Sequence, residues 1–356
     1  MRVLVAPDKF AGTLSAVEAA EAIALGWRRH APADELDLVP MSDGGPGFVD
    51  VLGNALGGTR EPVVVRGPFG ESVPAEVLVV GEVAYVESAQ ACGLHLTGAR
   101  DAERATTYGV GELVIAARDA GARTVVVGLG GSGTNDGGAG LLAALGATAD
   151  RPLDEGVAGL AGITRLELPD PGVALVSASD VDNQLTGLFG ATKTFGPQKG
   201  IPEERLPAVD GLLEELARAA GQRTALEKGA GAAGGLGYAL LLLGGERRPG
   251  LDLVAAATGL AERARAADLV VTGEGAFDFS SRAGKVPYGV ATIAAEAIRP
   301  CVALAGAVLV GSREMRALGV ESAYSLVDLV GEERAFADAA GSLADLAERV
   351  ARTWSH

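Results

Sequence analysis

The chain has 356 residues, 48% of them hydrophobic, with 30 Lys and Arg against 46 Asp and Glu, a formal charge of −16. The length suits about two domains of roughly 150 residues each, and the apolar content excludes a disordered chain. An acidic total without a basic run excludes nucleic acid or an anionic membrane as the main partner, while leaving room for a local cationic pocket.

The apolar run RVLVA (2–6) predicts a buried strand, and 15–30 an amphipathic helix entered through Thr13 and Ser15. LDLVP (36–40) predicts a second strand, SDGGPG a turn and about 47–56 a helix, the β-α-β-α opening of a parallel sheet covered by helices. From 62 to 89 the pattern changes to three β-rich runs, PVVVRG, SVPAEVLVV and VAYVES, which predict a meander or antiparallel sheet. Helix 109–120, strand 124–128, strand 173–178 and helix 203–220 after Pro202 follow. Helices at about 234–243 and 251–266, strand 268–273, helix 285–297, strands 301–306 and 323–326 and helix 332–353 complete the series. Strands 2–6, 36–40, 268–273, 301–306 and 323–326 suffice for a doubly wound sheet of flavodoxin type. The expected fold class is α/β in two domains with a cleft between them. The first is flavodoxin-like and discontinuous, from 1–60 and 235–356; a β-rich mixed α/β domain, 61–234, is inserted in it.

Cys92 and Cys301 alone make neither a disulfide framework nor a zinc site. His30, His95 and His356 lack partners nearby in sequence, so catalysis centred on His or Cys is not expected. The opening MRVLVAPDKF is too brief for a signal peptide, and no run reaches the roughly 18 apolar residues of a membrane span, which points to the cytoplasm.

The 52 glycines concentrate in polar loops at predicted element ends: Pro7–Thr13 with Ser42–Gly47, Gly128–Gly140, Gly229–Gly237 and Gly273–Pro287. In GLGGSGTNDGGAG, Gly130 and Gly131 free backbone N–H groups to face a phosphate or carboxylate, with Ser132, Thr134 and Asn135 as side-chain donors; the alternative is a tight turn. GAGAAGGLG contains G-x-G-x-x-G through Gly229, Gly231 and Gly234, but no strand precedes it, so dinucleotide binding is weakly supported. No Walker A motif occurs.

Three strands of the proposed sheet deliver carboxylates to one edge: Asp8, with Lys9, then Asp43, then Glu274 and Asp278. Asp43 alone could be a helix cap. Converging carboxylates with Lys9 and Lys285 look instead like a site for Mg²⁺ and a phosphorylated ligand. SDVDNQL and GATKTFGPQKG add Asp180, Asp182, Asn183, Lys193 and Lys199. Only five basic residues are Lys, four of them in polar, glycine-bordered loops and Lys228 just before another. Phosphoryl transfer suits this inventory, since it works by positioning and charge neutralisation and needs neither His nor Cys.

GLGGSGTNDGGAG, TFGPQKG, GAGAAGGLG and TGEG–D–GKVPYGVA, in this order, resemble the type-1 glycerate kinases over essentially the whole chain. The resemblance implies ATP and Mg²⁺, D-glycerate as substrate, 2-phosphoglycerate as the usual product, and a step in organic-acid catabolism. It also implies two α/β domains that close on their ligands. Within it, Asp43 or Asp136 is the candidate base or metal ligand, and Lys9 and Lys285 neutralise substrate carboxylate and phosphoryl group. Asp8, Ser132, Thr134, Asn135, Lys193, Lys199 and Arg282 are candidate substrate or phosphate contacts. Gly130, Gly131, Gly231, Gly234, Gly235 and Glu274 are candidate nucleotide contacts, and Asp278 and Asp180 candidate metal ligands. The chain departs from the resembled pattern at Lys9 and Ala11, at Pro46 in place of Glu, at Gln184 in place of Pro, and at Ala276 and Ser280 in place of Arg and Gln. These departures leave a non-catalytic or altered-specificity binder of a small hydroxy acid as the alternative; an NAD-dependent oxidoreductase rests on 229–234 alone. A monomer or homodimer is expected.

Overall fold

The computed structural model describes residues 1–10, 12–278 and 285–355. Ala11, Ser280, Arg282 and His356, all named above, lie outside the described residues. The chain forms two compact units, one of Met1–Asp43, Asp50–Leu56 and Leu251–His356, the other of Gly44–Val49 and Gly57–Gly250. No helix among the described residues is long and apolar enough to cross a membrane.

The first unit is built on five parallel strands: Arg2–Val5, Glu35–Leu38, Leu269–Phe277, Cys301–Val308 and Ser322–Ser325. Counted in chain order they lie 2-1-3-4-5 across the sheet, the flavodoxin-like order. Alternate residues face opposite sides of a strand. Val3, Val5, Leu269, Val271, Val302 and Leu304 share one core with helices Ala16–His30 and Ala339–Trp354. The equally buried Leu4, Val270 and Ala303 point the other way, where Leu260–Ala266 and Val286–Glu296 pack on the strands.

Local signals set these elements. Ser15 caps Ala16–His30 at the entry read from the sequence, and the structure adds its reciprocal pairing with Glu18. Two predicted helices are each broken once. The break in 251–266 falls at Gly259, with φ 65°. The break in 332–353 falls at Asp338, whose side chain accepts from the Gly341 amide. Predicted strand 268–273 runs on to Phe277, because its neighbour pairs with it as far as Val308.

The second unit holds a six-stranded mixed sheet. Val83–Glu87, Thr124–Gly128, Ala174–Ala178 and Glu246–Arg248 are parallel neighbours. Ser72–Val80 and Thr59–Arg66 extend the sheet as an antiparallel meander, the change of pattern read between 62 and 89. Helix Leu236–Leu242 belongs here, later bounded than the expected break at 235, because Leu236, Ala239 and Leu240 enter the core around Val125 and Val127.

Helix Ala16–His30 lies so close to Ala339–Trp354 that a Cβ at Gly26 would come within 1.9 Å of the Ala344 carbonyl oxygen. Gly26→Ala must therefore force the pair apart, and denaturant unfolding should show a loss of about 2–3 kcal/mol.

Candidate active site

The strands Arg2–Val5 and Leu269–Phe277 are neighbours at the centre of the first sheet. From the first, the chain leaves to helix Ala16–His30 on one face; from the second it reaches Val286–Glu296 on the other. Loops that part in this way leave a crevice at the carboxyl ends of the strands, where open α/β sheets bind ligands. Asp8 sits in it. Its amide donates to the Gly273 carbonyl at 2.8 Å, and its Oδ1 accepts from the Lys9 amide at 2.8 Å.

Around Asp8 the unit gathers alternating charges. Lys9 Nζ lies 3.5 Å from Asp8 Oδ1 and 3.7 Å from Asp43 Oδ1. Lys285, at the start of Val286–Glu296, lies 3.6 Å from Glu274 Oε2 and 3.7 Å from Asp278 Oδ1. Asp8 and Glu274 are buried, while Asp43, Asp278 and both lysines are partly exposed. Burial pushes the Asp8 carboxyl up to about 7; Lys9 opposes the rise, and Asp43 and Glu274 add to it. A carboxyl poised there can take a proton near neutral pH.

The glycine loop of the second unit is closed by its own protein. Asp136 is fully buried. Its Oδ2 accepts from the Thr107 amide and hydroxyl, both at 2.8 Å, and from the Gly140 amide at 3.2 Å; its Oδ1 accepts from the Gly138 amide at 3.0 Å. Burial pushes its pKa up, and these hydrogen bonds oppose the rise. Lys199 is equally enclosed, donating to Ser132 Oγ at 3.0 Å and to the Thr134 carbonyl at 2.6 Å. Burial lowers its pKa to about 8, with Cys92 and Asp136 opposing that shift. Asn135 donates to Thr192 Oγ1 at 2.9 Å, while its buried Oδ1 has no hydrogen-bond partner among the described residues.

The glycines of this region make room for backbone. A Cβ at Gly234, where φ is +69°, would lie 2.0 Å from the Thr134 carbonyl oxygen, and one at Gly235 2.4 Å from the Gly137 Cα. Gly231 packs against the Gln184 carbonyl, Gly130 against Gly45, and Gly131 against the Pro46 ring.

Residues 3–355 match the glycerate kinase family. An uncharacterized protein of Mycobacterium bovis is 44% identical over 99% of this chain and 91% of its own length. Glycerate 2-kinase of Escherichia coli K12 is 35% identical over 99% of this chain and 98% of its own. The crystal structure described as that of a glycerate kinase 2 from Salmonella typhimurium LT2 superposes with a TM-score of 0.80 at 35% identity, covering 99% of this chain and 98% of that one. The chain belongs to the glycerate kinase family.

For a member of this kinase family, the expected site residues separate into two groups. Asp8, Lys9, Asp43, Glu274, Asp278 and Lys285 come together in the first unit, and Ser132, Thr134, Asn135, Asp136 and Lys199 in the second. Asp136, expected as a base or metal ligand, is instead an anchor, because four donors already occupy its oxygens. Gly231, Gly234 and Gly235, expected at a nucleotide, are close-packing glycines. Lys193, read as a loop residue, lies in helix Ala191–Phe195 with its Nζ 3.4 Å from Asp210. Asp180 is half-buried beyond Ala174–Ala178, in the unit that does not contain Asp278.

Sequence reading missed Thr107 and Glu87. Thr107 looks like an ordinary residue before a helix, and nothing local marks its bond to Asp136. Glu87 accepts from the Gly47 amide at 2.9 Å and ends strand Val83–Glu87, so the strand-end rule that found Glu274 could have found it.

The carboxylates of the first unit are hard oxygen donors and outnumber the two ammonium groups among them, which suits Mg²⁺. Among the described residues no three acidic, His or Cys side chains are grouped to hold a metal. A Mg²⁺ held here would therefore draw most of its ligands from phosphate oxygens and water.

Asp136→Ala would strand four buried donors. It should cost at least about 3 kcal/mol of stability in urea titration, whereas the loss of a catalytic base would leave the midpoint nearly unchanged.

Proposed function

We propose that this chain transfers the γ-phosphoryl group of ATP to the C2 hydroxyl of D-glycerate, giving 2-phosphoglycerate and ADP, as a step in organic-acid catabolism. The observation that carries this reading is the buried Asp8, with a carboxyl near 7, between Lys9 and Glu274 at the crevice of a flavodoxin-like sheet. Family membership and the name of the Escherichia coli relative support the substrate and the position phosphorylated.

The Asp8 carboxylate accepts the hydroxyl proton as the glycerate oxygen bonds to the γ-phosphorus. The bond from that phosphorus to the bridging oxygen breaks, and ADP leaves with the electron pair. Lys9, beside Asp8, pairs with the glycerate carboxylate. Lys285 moves from Glu274 and Asp278 to the transferring phosphoryl oxygens and meets their developing charge. A carboxylate among Asp43, Glu274 and Asp278 would give a Mg²⁺ one or two contacts, with phosphate oxygens and water supplying the rest, and the ion would neutralise the phosphates and fix their orientation.

The non-catalytic reading has less support. Pro46 packs on Gly131, a backbone role that needs no Glu, and Lys9 brings a cation to two carboxylates.

A coupled assay should detect ADP release dependent on D-glycerate, and phosphorus NMR should identify 2-phosphoglycerate. No turnover by folded protein, with any short hydroxy acid, would sink the proposal. Asp8 acts only when ionised, so kcat/KM should fall about tenfold per pH unit below about 7 and level off above it. Asp8→Asn should lower kcat by about 10²–10⁴-fold and abolish that acid limb.

A further inference from the structure

Between the end of strand Arg2–Val5 and Asp8 stand Ala6 and Pro7. The Ala6 amide donates to the Val271 carbonyl at 2.7 Å and the Asp8 amide to the Gly273 carbonyl at 2.8 Å, so this segment still follows its neighbour Leu269–Phe277. On the other side the Pro7 carbonyl accepts from the Met41 amide at 2.9 Å. Proline has no N–H to donate, and its ring fixes φ at about −65°. The peptide plane that enters Pro7 therefore largely decides where the chain delivers Asp8.

A side chain holds that plane. Thr272 is fully buried, and its Oγ1 donates to the Ala6 carbonyl at 2.9 Å. It is the one polar side chain in the run LVVTG (269–273), where a β-branched apolar residue would suit a buried strand equally well. A buried hydroxyl costs free energy unless it is bonded, and this one is bonded at the last carbonyl before Pro7. Thr272 also lies on the face of its strand that carries Glu274, two residues on. The hydroxyl thus ties the strand bearing Glu274 to the segment bearing Asp8, at the foot of the charged cluster.

We propose that Thr272 is a positioning residue: through the Ala6 carbonyl and Pro7 it fixes the place of the Asp8 carboxylate relative to the glycerate hydroxyl. The inference rests on the kinase reading with Asp8 as base. Thr272→Val keeps the shape of the side chain and removes the donor, which leaves the Ala6 carbonyl short of a partner and frees the segment to shift. Small displacements of a reacting group are costly, so kcat should fall about tenfold, with KM for ATP and for D-glycerate unchanged. Thr272→Ser retains the hydroxyl and should keep kcat close to that of the wild type. Thr272→Cys, a weak donor, should lie between the two, and the serine and cysteine pair carries the test if the valine variant does not fold. In an Asp8→Asn background Thr272→Val should bring no further loss, because the residue it positions no longer acts. A threonine that merely supports the fold would lower kcat by the same factor in both backgrounds. Unchanged kcat in folded Thr272→Val, the same loss in the Asp8→Asn background, or equal kcat in the serine and cysteine variants would overturn the inference while wild-type turnover keeps the kinase reading. No turnover by folded wild-type protein would overturn the kinase reading and this inference with it.

Discussion

The active-site chemistry depends on two adjacent parallel strands whose connections leave to opposite faces of the sheet. Right-handed crossovers fix each connection to its face, so the backbone cannot fill the space between the departing loops. Asp8 enters that space while still tied to the neighbouring strand, its amide bonded to the Gly273 carbonyl. It is therefore enclosed by its own scaffold; that burial is the largest cause of its raised pKa, and the Asp43 and Glu274 carboxylates add to the rise. Glu274 is enclosed by the same geometry, whereas Asp43, Asp278 and the two lysines follow where the loops open. The gradient from buried carboxyls to exposed charges follows from strand order.

The second unit uses similar residues to a different end. Its loop contains a run of glycine, Ser, Thr, Asn and Asp that reads like a phosphate cradle, yet its polar side chains are buried, with Ser132, Asn135 and Asp136 bonded to Lys199, Thr192 and Thr107. Glycine signals that something approaches the backbone closely; whether that is a ligand or another strand of the same protein depends on the neighbour. Thr134 and Gly137 take the space that a Cβ on Gly234 or Gly235 would need. Asp136 then offsets the cost of its burial with donors from two segments, and Lys199 ties a third to the same loop. These are the features of a rigid support.

Much of the first unit was legible in the sequence because its signals are local. The short apolar runs, the helix entry at Ser15, and the acidic residues just past strand ends each depend on near neighbours. The role of Asp136 was not legible, because its principal donor, Thr107, lies 29 residues earlier and joins it only through packing. The end of the second unit was missed for a similar reason. Leu236, Ala239 and Leu240 form an apolar helix face that would suit either unit, and only the strand they meet assigns them. Helix breaks at Gly259 and Asp338 were lost to a periodicity that continues across them.

The scarcity of lysine acquires a physical sense at the site. Where this chain holds a carboxylate firmly it often uses arginine, as in the forked pair of Arg205 with Glu103 at 3.0 and 2.6 Å. A guanidinium engaged in this way is committed by its planar geometry. Lys9 and Lys285 instead stand 3.5–3.7 Å from two carboxylates apiece, beyond the length of a strong charged hydrogen bond. An ammonium shared between two anions at these distances is bound more by charge than by direction, so a third anion can draw it over at lower cost than a forked guanidinium. A phosphoryl group in transit is such a third anion. An arginine in place of Lys285 would bind the resting carboxylates better and, in the mechanism proposed, follow the phosphoryl group less well.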